Sequence, residues 1–481
     1  MTSPAPLLAG DAIPRRSWLT LAVTSTSVFM VSLEITVISL AFPDIREAFD
    51  DTDPATLSWV FTAYNIGVAS LLLVSGFLAD RIGRKRVFLT GLAIFAVGSL
   101  GSGMAVSAGM LIACRVVQSL GGSMLYPAGL ALLLPSFPPH RQSFAVGVWG
   151  AMGGVAAAVG PSVGALLVEA FGWRSVFLIN VPVAFTALLV GIKGLAESKG
   201  AQAAGRVDLI SVPLASVGVG ALVLGITKGE AWGWSSPSII GCFVISVVLL
   251  AVFVLRSDRH PRPLFDLALM RLRSYRVSNL GSLFFAVAFF GWLVLLPTFI
   301  EGVWGWSVLK TGFAIAPGPL LSGILSGPIG SLADRIGFRP ILVVGGISGA
   351  ISLVLQALLI DEQPAYLTAV LIPSLFLGVS AGCCFAMLVG SAMRDVPPHR
   401  YAMAGAGRTT VFQLAVAVGI AIAVAVVGQP ESAAEAVAAY HRNWLIGAAC
   451  MVAMAVLFAV RYPTQRPEQV LGVSTTIRPH E

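Results

Sequence analysis

Long apolar runs alternate along the chain with short polar breaks rich in Gly, Pro and charge. Runs of about 20 apolar residues are long enough to cross the hydrocarbon layer as helices. They fall near residues 17–42, 57–78, 87–107, 109–134, 143–169, 174–193, 208–227, 237–255, 277–300, 310–333, 340–360, 364–388, 403–427 and 443–463, which predicts fourteen transmembrane helices. One of the breaks is repeated. Gly76-Phe-Leu-Ala-Asp80-Arg81-Ile-Gly83-Arg84-Lys-Arg returns 254 residues later as Gly330-Ser-Leu-Ala-Asp334-Arg335-Ile-Gly337-Phe-Arg339, with seven of the first eight positions identical. Each copy ends one apolar run and opens the next, so each is a tight, charged turn between two helices. The same offset lays helices 1 to 5 over helices 9 to 13, and helix 6 over helix 14 after allowance for a longer loop. Helices 7 and 8 have no counterpart. The expected fold class is therefore an all-α integral membrane protein in a 6+2+6 arrangement: a six-helix bundle in 1–200, an inserted pair in 201–260 and a second bundle in 261–481. Parallel repeats of this kind are a known transporter plan, with the binding site near the midplane between the halves.

Composition agrees with a bilayer protein. Of 481 residues, 57% are hydrophobic and 11% charged, against about 25% charged in soluble domains. Lys and Arg stay on the cytoplasmic side because their translocation is disfavoured. With the N-terminus inside, 23 of the 30 basic residues are cytoplasmic, 5 lie outside, and Arg115 and Arg408 lie within helices. Both termini are then cytoplasmic. The net charge of +7 reads as topology, not as a nucleic-acid surface. Arg256 to Arg276 holds six arginines that could touch anionic lipid headgroups. Lys 5 against Arg 25, with abundant Ala, Gly and Val, suits a GC-rich bacterial genome and hence a bacterial plasma membrane.

Several functions are disfavoured. The five cysteines are odd in number and lack metal spacing, so they are expected to pack inertly, with no metal site. Arg15-Arg16 precedes an apolar run without a small-residue cleavage site and reads as an anchor of an uncleaved first helix. No Gly-x-x-x-x-Gly-Lys loop is present, and all five histidines fall in predicted loops or the tail. We expect no catalytic residues and no cofactor.

The candidate chemistry lies in the first half. Glu34, in helix 1, is a carboxylate at bilayer depth, which costs about 2.5 to 3.5 kcal/mol or more when charged and is a functional candidate by default. Arg115 in helix 4 falls at similar depth, because helix 1 runs outward and helix 4 inward. A guanidinium favours the ionised acid and burial favours the neutral one, the balance a proton switch needs. Neither is echoed in the second half, where Ala288 and Ala369 stand. In the repeated loops Gly76 permits close helix approach, Gly83 and Gly337 permit the turn, and Asp80 can pair with Arg84 or cap a neighbouring helix. Helix 5 is studded with small residues, among them Gly154, Gly160, Pro161 and Gly164. Tyr64, Asn65, Gln118, Tyr126, Trp149, Trp292, Phe412 and Gln413 are polar or aromatic groups within helices and candidates for a substrate cavity beside the charged pair. Arg408 and Glu301 are further polar groups without an assigned part.

These motifs carry a family resemblance. The Gly-x-Leu-Ala-Asp-Arg-x-Gly-Arg-Lys loop resembles the signature of the major facilitator superfamily. The helix-1 string around Glu34, Arg115-x-x-Gln118, Gly160-Pro161-x-x-Gly164 and Gly172-Trp-Arg...Asn180-x-Pro182 resemble its fourteen-helix drug:proton antiporter branch. The likeness spans nearly the whole chain, the inserted pair and its Gly233-Trp234 loop included. It implies efflux of drug-like, lipophilic or cationic small molecules in exchange for protons by a monomer in contact with membrane lipids. It also implies coupling through Glu34 and Arg115, gating by the repeated loops and an antiporter role for helix 5. Export of a single metabolite or antibiotic, or a non-transporting sensor, are the alternatives. The chain departs from the family pattern at Glu34 (Asp), Ser39 (Asn), Ser119 (Gly) and Ala156 (Gly).

Overall fold

The computed structural model describes residues 13–199, 208, 210–260, 263–428 and 432–463. Among these residues the chain is helical and has no strand. The long helices are α1 (Arg15–Ala48), α2 (Trp59–Ile82), α3 (Arg84–Gly103), α4 (Ala108–Ser136), α5 (Gln142–Phe171), α6 (Asn180–Gly194), α7 (Ser211–Trp232), α8 (Pro237–Arg259), α9 (Arg273–Gly302), α10 (Pro317–Ile336), α11 (Phe338–Leu359), α12 (Ile372–Met393), α13 (Tyr401–Val427) and α14 (Ala433–Arg461). Short helical turns precede α2, α5, α6, α9, α10, α12 and α13. Among the described residues twelve segments, α2 to α4 and α6 to α14, α6 taken together with the turn from Ser175, are long and apolar enough to cross a membrane, so the chain is a multi-pass membrane protein. α1 and α5 stand at the first and fifth predicted positions and are 34 and 30 residues long. Some of their side chains, Pro161 included, lie outside the described residues.

The helix order repeats in space. Within the first half α1 packs on α4, α5 and α6, α2 on α4, and α3 on α4 and α6. Within the second, α9 packs on α12, α13 and α14, α10 on α12, and α11 on α12 and α14. The halves meet through two equivalent sets: α5 lies against α10 and α12, and α13 lies against α2 and α4. Close approach at these crossings requires glycine. A Cβ on Gly76 would stand 2.6 Å from the Ala402 carbonyl oxygen of α13, and one on Gly330, its repeat partner, 2.7 Å from that of Ser143 in α5. The turns also behave as the motif predicts, with φ +132° at Gly83 and +85° at Gly337, a region that L side chains disfavour.

The inserted helices α7 and α8 pack on each other, and α7 also packs on α2 and touches α13. Arg256 Nε donates to Asp208 Oδ1 at 2.7 Å beneath the pair. Burial alone would raise the Asp208 carboxyl, but the bonds from Ser211 and Arg256 outweigh it and hold it below the ordinary carboxylate value.

Several sequence boundaries are corrected, the largest at α14, which begins at Ala433 and takes His441 into the helix. α1 continues through Pro43 to Ala48, so the first acidic residues of the expected outer loop are helical. α7 continues to Trp232, which draws Lys228 out of the expected outer loop into a buried position. Its ammonium donates to the Ser58 hydroxyl beside α2 and lies 5.5 Å from the Trp59 ring centroid. Those two contacts replace part of the water that a lysine would otherwise keep.

Candidate functional site: a central cavity beside a buried ion pair

A cavity of about 810 Å³ lies between the halves, large enough for one drug-sized molecule. Tyr64, Asn65, Tyr126, Trp149, Trp292, Phe412 and Gln413 line it, as the sequence suggests. Gln118 does not; it is fully buried inside the first bundle. α7 adds Val223, Ile226 and Thr227 to the wall, so the inserted pair contributes to the cavity. Phe290, Phe385 and Phe412 form an aromatic group with centroid separations of 5.9 to 6.4 Å. The lining reaches Val424 and Gly428, at the end of α13 opposite the repeated loops.

On the loop side the halves are latched. Asp80 accepts from Arg84 Nε and Nη2 at 3.0 and 2.8 Å, and from the Met403 backbone N–H at 2.9 Å in the first turn of α13. Arg84 also donates to the carbonyls of Ala131 and, across the halves, Pro398. In the repeat, Asp334 accepts from the Ser143 and Phe144 N–H groups, both at 3.1 Å, in the first turn of α5. Each carboxylate thus satisfies orphan amide donors at the positive end of a helix in the opposite half. Phe338 stands where Arg84 stands in the first copy and packs against Gly390 instead, so the second latch lacks the guanidinium. Arg81 and Arg335 are exposed and take no part in either latch.

The charged pair is buried within the first bundle. Glu34 and Arg115 are 2% and 1% exposed, and Arg115 Nη1 donates to Glu34 Oε1. Asn180 Nδ2, at the start of α6, donates to Glu34 Oε2 at 2.6 Å. Arg115 also donates to the Val60 carbonyl at 3.0 Å and to Gln118 Oε1 at 2.6 Å, and Gln118 donates in turn to the Ser99 hydroxyl at 2.6 Å. The Tyr64 ring covers the guanidinium at 4.2 Å. Neither charged residue is among the described lining of the cavity. The polar network satisfies the two charges inside one bundle, and Tyr64 separates them from the cavity: one side of its ring faces Arg115, and the residue also lines the cavity.

Asn180 and Ser99 escaped the sequence reading as site residues. Asn180 stands in the quoted Gly172 to Pro182 motif, a usable signal; Ser99 gives none. In α5 the close approaches fall at Gly147 and Gly150, where an added Cβ would meet Ser326 and Ala386 within about 3 Å. Gly154 lines the cavity at an ordinary distance from Ser322, and Gly160 and Gly164 are buried. Glu301 lies in the last turn of α9 and is not part of the described lining.

Comparisons with known proteins agree with this architecture. The sequence profile described as the Major Facilitator Superfamily matches residues 24–209, 201–420 and 319–477. The multidrug resistance protein Stp of Mycobacterium tuberculosis is 33% identical over 395 residues, 81% of this chain and 72% of that protein. The tetracenomycin C resistance and export protein of Streptomyces glaucescens is 34% identical over 341 residues, 70% of this chain and 63% of that protein. Among solved structures, the proton:xylose symporter XylE superposes with a TM-score of 0.68 at 12% identity, covering 96% of this chain and 99% of that one, which speaks to the fold. With two six-helix halves packed about a central cavity, paired Asp latches and a matching profile along almost its whole length, the chain belongs to the major facilitator superfamily of membrane transporters.

Proposed function

We propose that the protein is a proton-coupled secondary active exporter that exchanges protons for lipophilic, drug-like small molecules by alternating access. In this reading it works in the bacterial plasma membrane as a 6+2+6, fourteen-helix monomer with both termini cytoplasmic. The proton gradient is its energy source and no cofactor takes part. The relatives' names, multidrug resistance protein and resistance and export protein, support export.

The observation that carries the reading is the enclosed Glu34 carboxylate, paired with Arg115 and Asn180 and separated from the cavity by Tyr64. Ionised Glu34 holds α1, α4 and α6 together. Protonation cancels its pairing with Arg115, whose remaining partners, Val60 and Gln118, belong to α2 and α4. A proton thereby changes which helices are tied, and a ligand or proton shifts a two-state equilibrium only through such differential contacts. Substrate in the cavity feels the change through Tyr64. The expected cationic substrates meet no carboxylate among the described lining residues, so the lipophilic part of that expectation is the part that the cavity supports.

The test is Glu34→Gln in proteoliposomes under an imposed pH gradient. Uphill transport should be lost, because the amide cannot carry a proton, while downhill exchange persists. Glu34→Asp should retain partial activity. Undiminished uphill transport by Glu34→Gln would remove Glu34 from coupling.

A further inference from the structure

A further buried cation stands in the cavity wall, unused by the mechanism above. Arg408, in α13, is 6% exposed and lines the cavity on its loop side. It lies seven residues into the helix, about 10 Å from its start. Among the described residues its guanidinium makes no hydrogen bond and no ion pair, and its Nε is buried without a partner. It lies against the Phe412 ring, with centroid 5.3 Å from the guanidinium carbon, and near the phenols of Tyr126 and Tyr275.

No carboxylate is among the described lining residues of the cavity, and the carboxylates of the ion pair and the two latches are committed elsewhere: Glu34 to Arg115 and Asn180, Asp80 to Arg84 and Met403, Asp334 to α5. A buried guanidinium without a protein counter-ion is costly unless something else supplies the charge. Its planar fork of donors matches an oxyanion.

We propose that the loop-side end of the cavity is an anion-recognition subsite, where Arg408 takes the negative group of an aromatic organic anion whose rings lie against Phe290, Phe385 and Phe412. The aromatic group alone would suit a cation equally well. Arg408 decides between them, since it already occupies the face of Phe412 and repels a second cation. The assignment deepens the exporter reading by naming a substrate class, and it rests on that reading only in calling the ligand a substrate.

Binding without any gradient tests it. Full-length protein in nanodiscs is titrated with 8-anilinonaphthalene-1-sulfonate and with N-phenyl-1-naphthylamine, the same skeleton without the sulfonate. Saturable binding is read by energy transfer from tryptophan. Arg408→Gln should weaken sulfonate binding about tenfold to a hundredfold, the range for a lost hydrogen bond to a charged group, and leave the neutral probe within about twofold. Arg408→Lys should recover part of the loss, and thermal unfolding of each variant controls for folding. Equal losses for both probes would make Arg408 a shaping residue and overturn the proposal. So would unchanged sulfonate binding in Arg408→Gln, or no saturable sulfonate binding to the wild type. The binding comparison uses no gradient and leaves Glu34 untouched, whereas coupling is read as uphill transport, so a failure of proton coupling and a failure of this subsite give different results.

Discussion

At the scale of residues, the chemistry rests on how two buried arginines are treated. Arg115 has an acid, an amide and a carbonyl within reach, whereas Arg408 has an aromatic face and open space. Arg115→Ala removes the cation that favours ionised Glu34, so deprotonation requires a higher pH. The pH midpoint of substrate binding should move upward, and the shift should vanish in a Glu34→Gln background, where a double-mutant cycle isolates the pair. If Arg115 serves only backbone carbonyls, affinity falls equally in both backgrounds and the midpoint stays. Truncating one partner of a buried pair also costs about 3 to 5 kcal/mol of stability, so thermal unfolding should drop more for Arg115→Ala alone than for the double variant relative to Glu34→Gln.

At the scale of elements, the two latches are related by the sequence repeat but not equal in strength. Both rest on a carboxylate at a helix N-terminus, and Asp80 alone has the ion pair that reaches Pro398 across the halves. Asp80→Asn should favour opening on the loop side by about 0.5 to 2 kcal/mol, the usual worth of a cap, or roughly two- to thirtyfold in the ratio of access states. Asp334→Asn should do less. Labelling of cysteines introduced along α2 and α13 from each side of the membrane measures the ratio, and equal or absent effects would make both loops merely topogenic. Gly76→Val should act in the same direction more strongly, because its Cβ would fall 2.4 Å from that of Ala406 and force α2 from α13.

At the scale of the whole molecule, the inserted pair is a wall of the cavity as well as an insertion in the chain. Thr227→Trp should narrow the cavity and lower affinity for bulky substrates while sparing small ones. A uniform effect on substrates of all sizes in a transport panel would place α7 outside recognition. The sequence by itself determined the helical membrane class, the duplicated plan, the two latch carboxylates and the Glu34–Arg115 pairing. Each is written locally, as an apolar run of bilayer length, a charged turn needing glycine, or an ionisable group too costly to bury without purpose. Tertiary structure alone decided which polar groups close the network and which face the cavity. Gln118 and Tyr64 both look like cavity candidates along the chain; packing turned Gln118 toward Arg115 and Ser99 and set Tyr64 between the ion pair and the cavity. Asn180 reaches Glu34 from 146 residues away, and the Nε of Arg408 is buried without a partner among the described residues. Such facts depend on how helices rotate against one another, and helical periodicity leaves that rotation open wherever a helix is apolar on all sides.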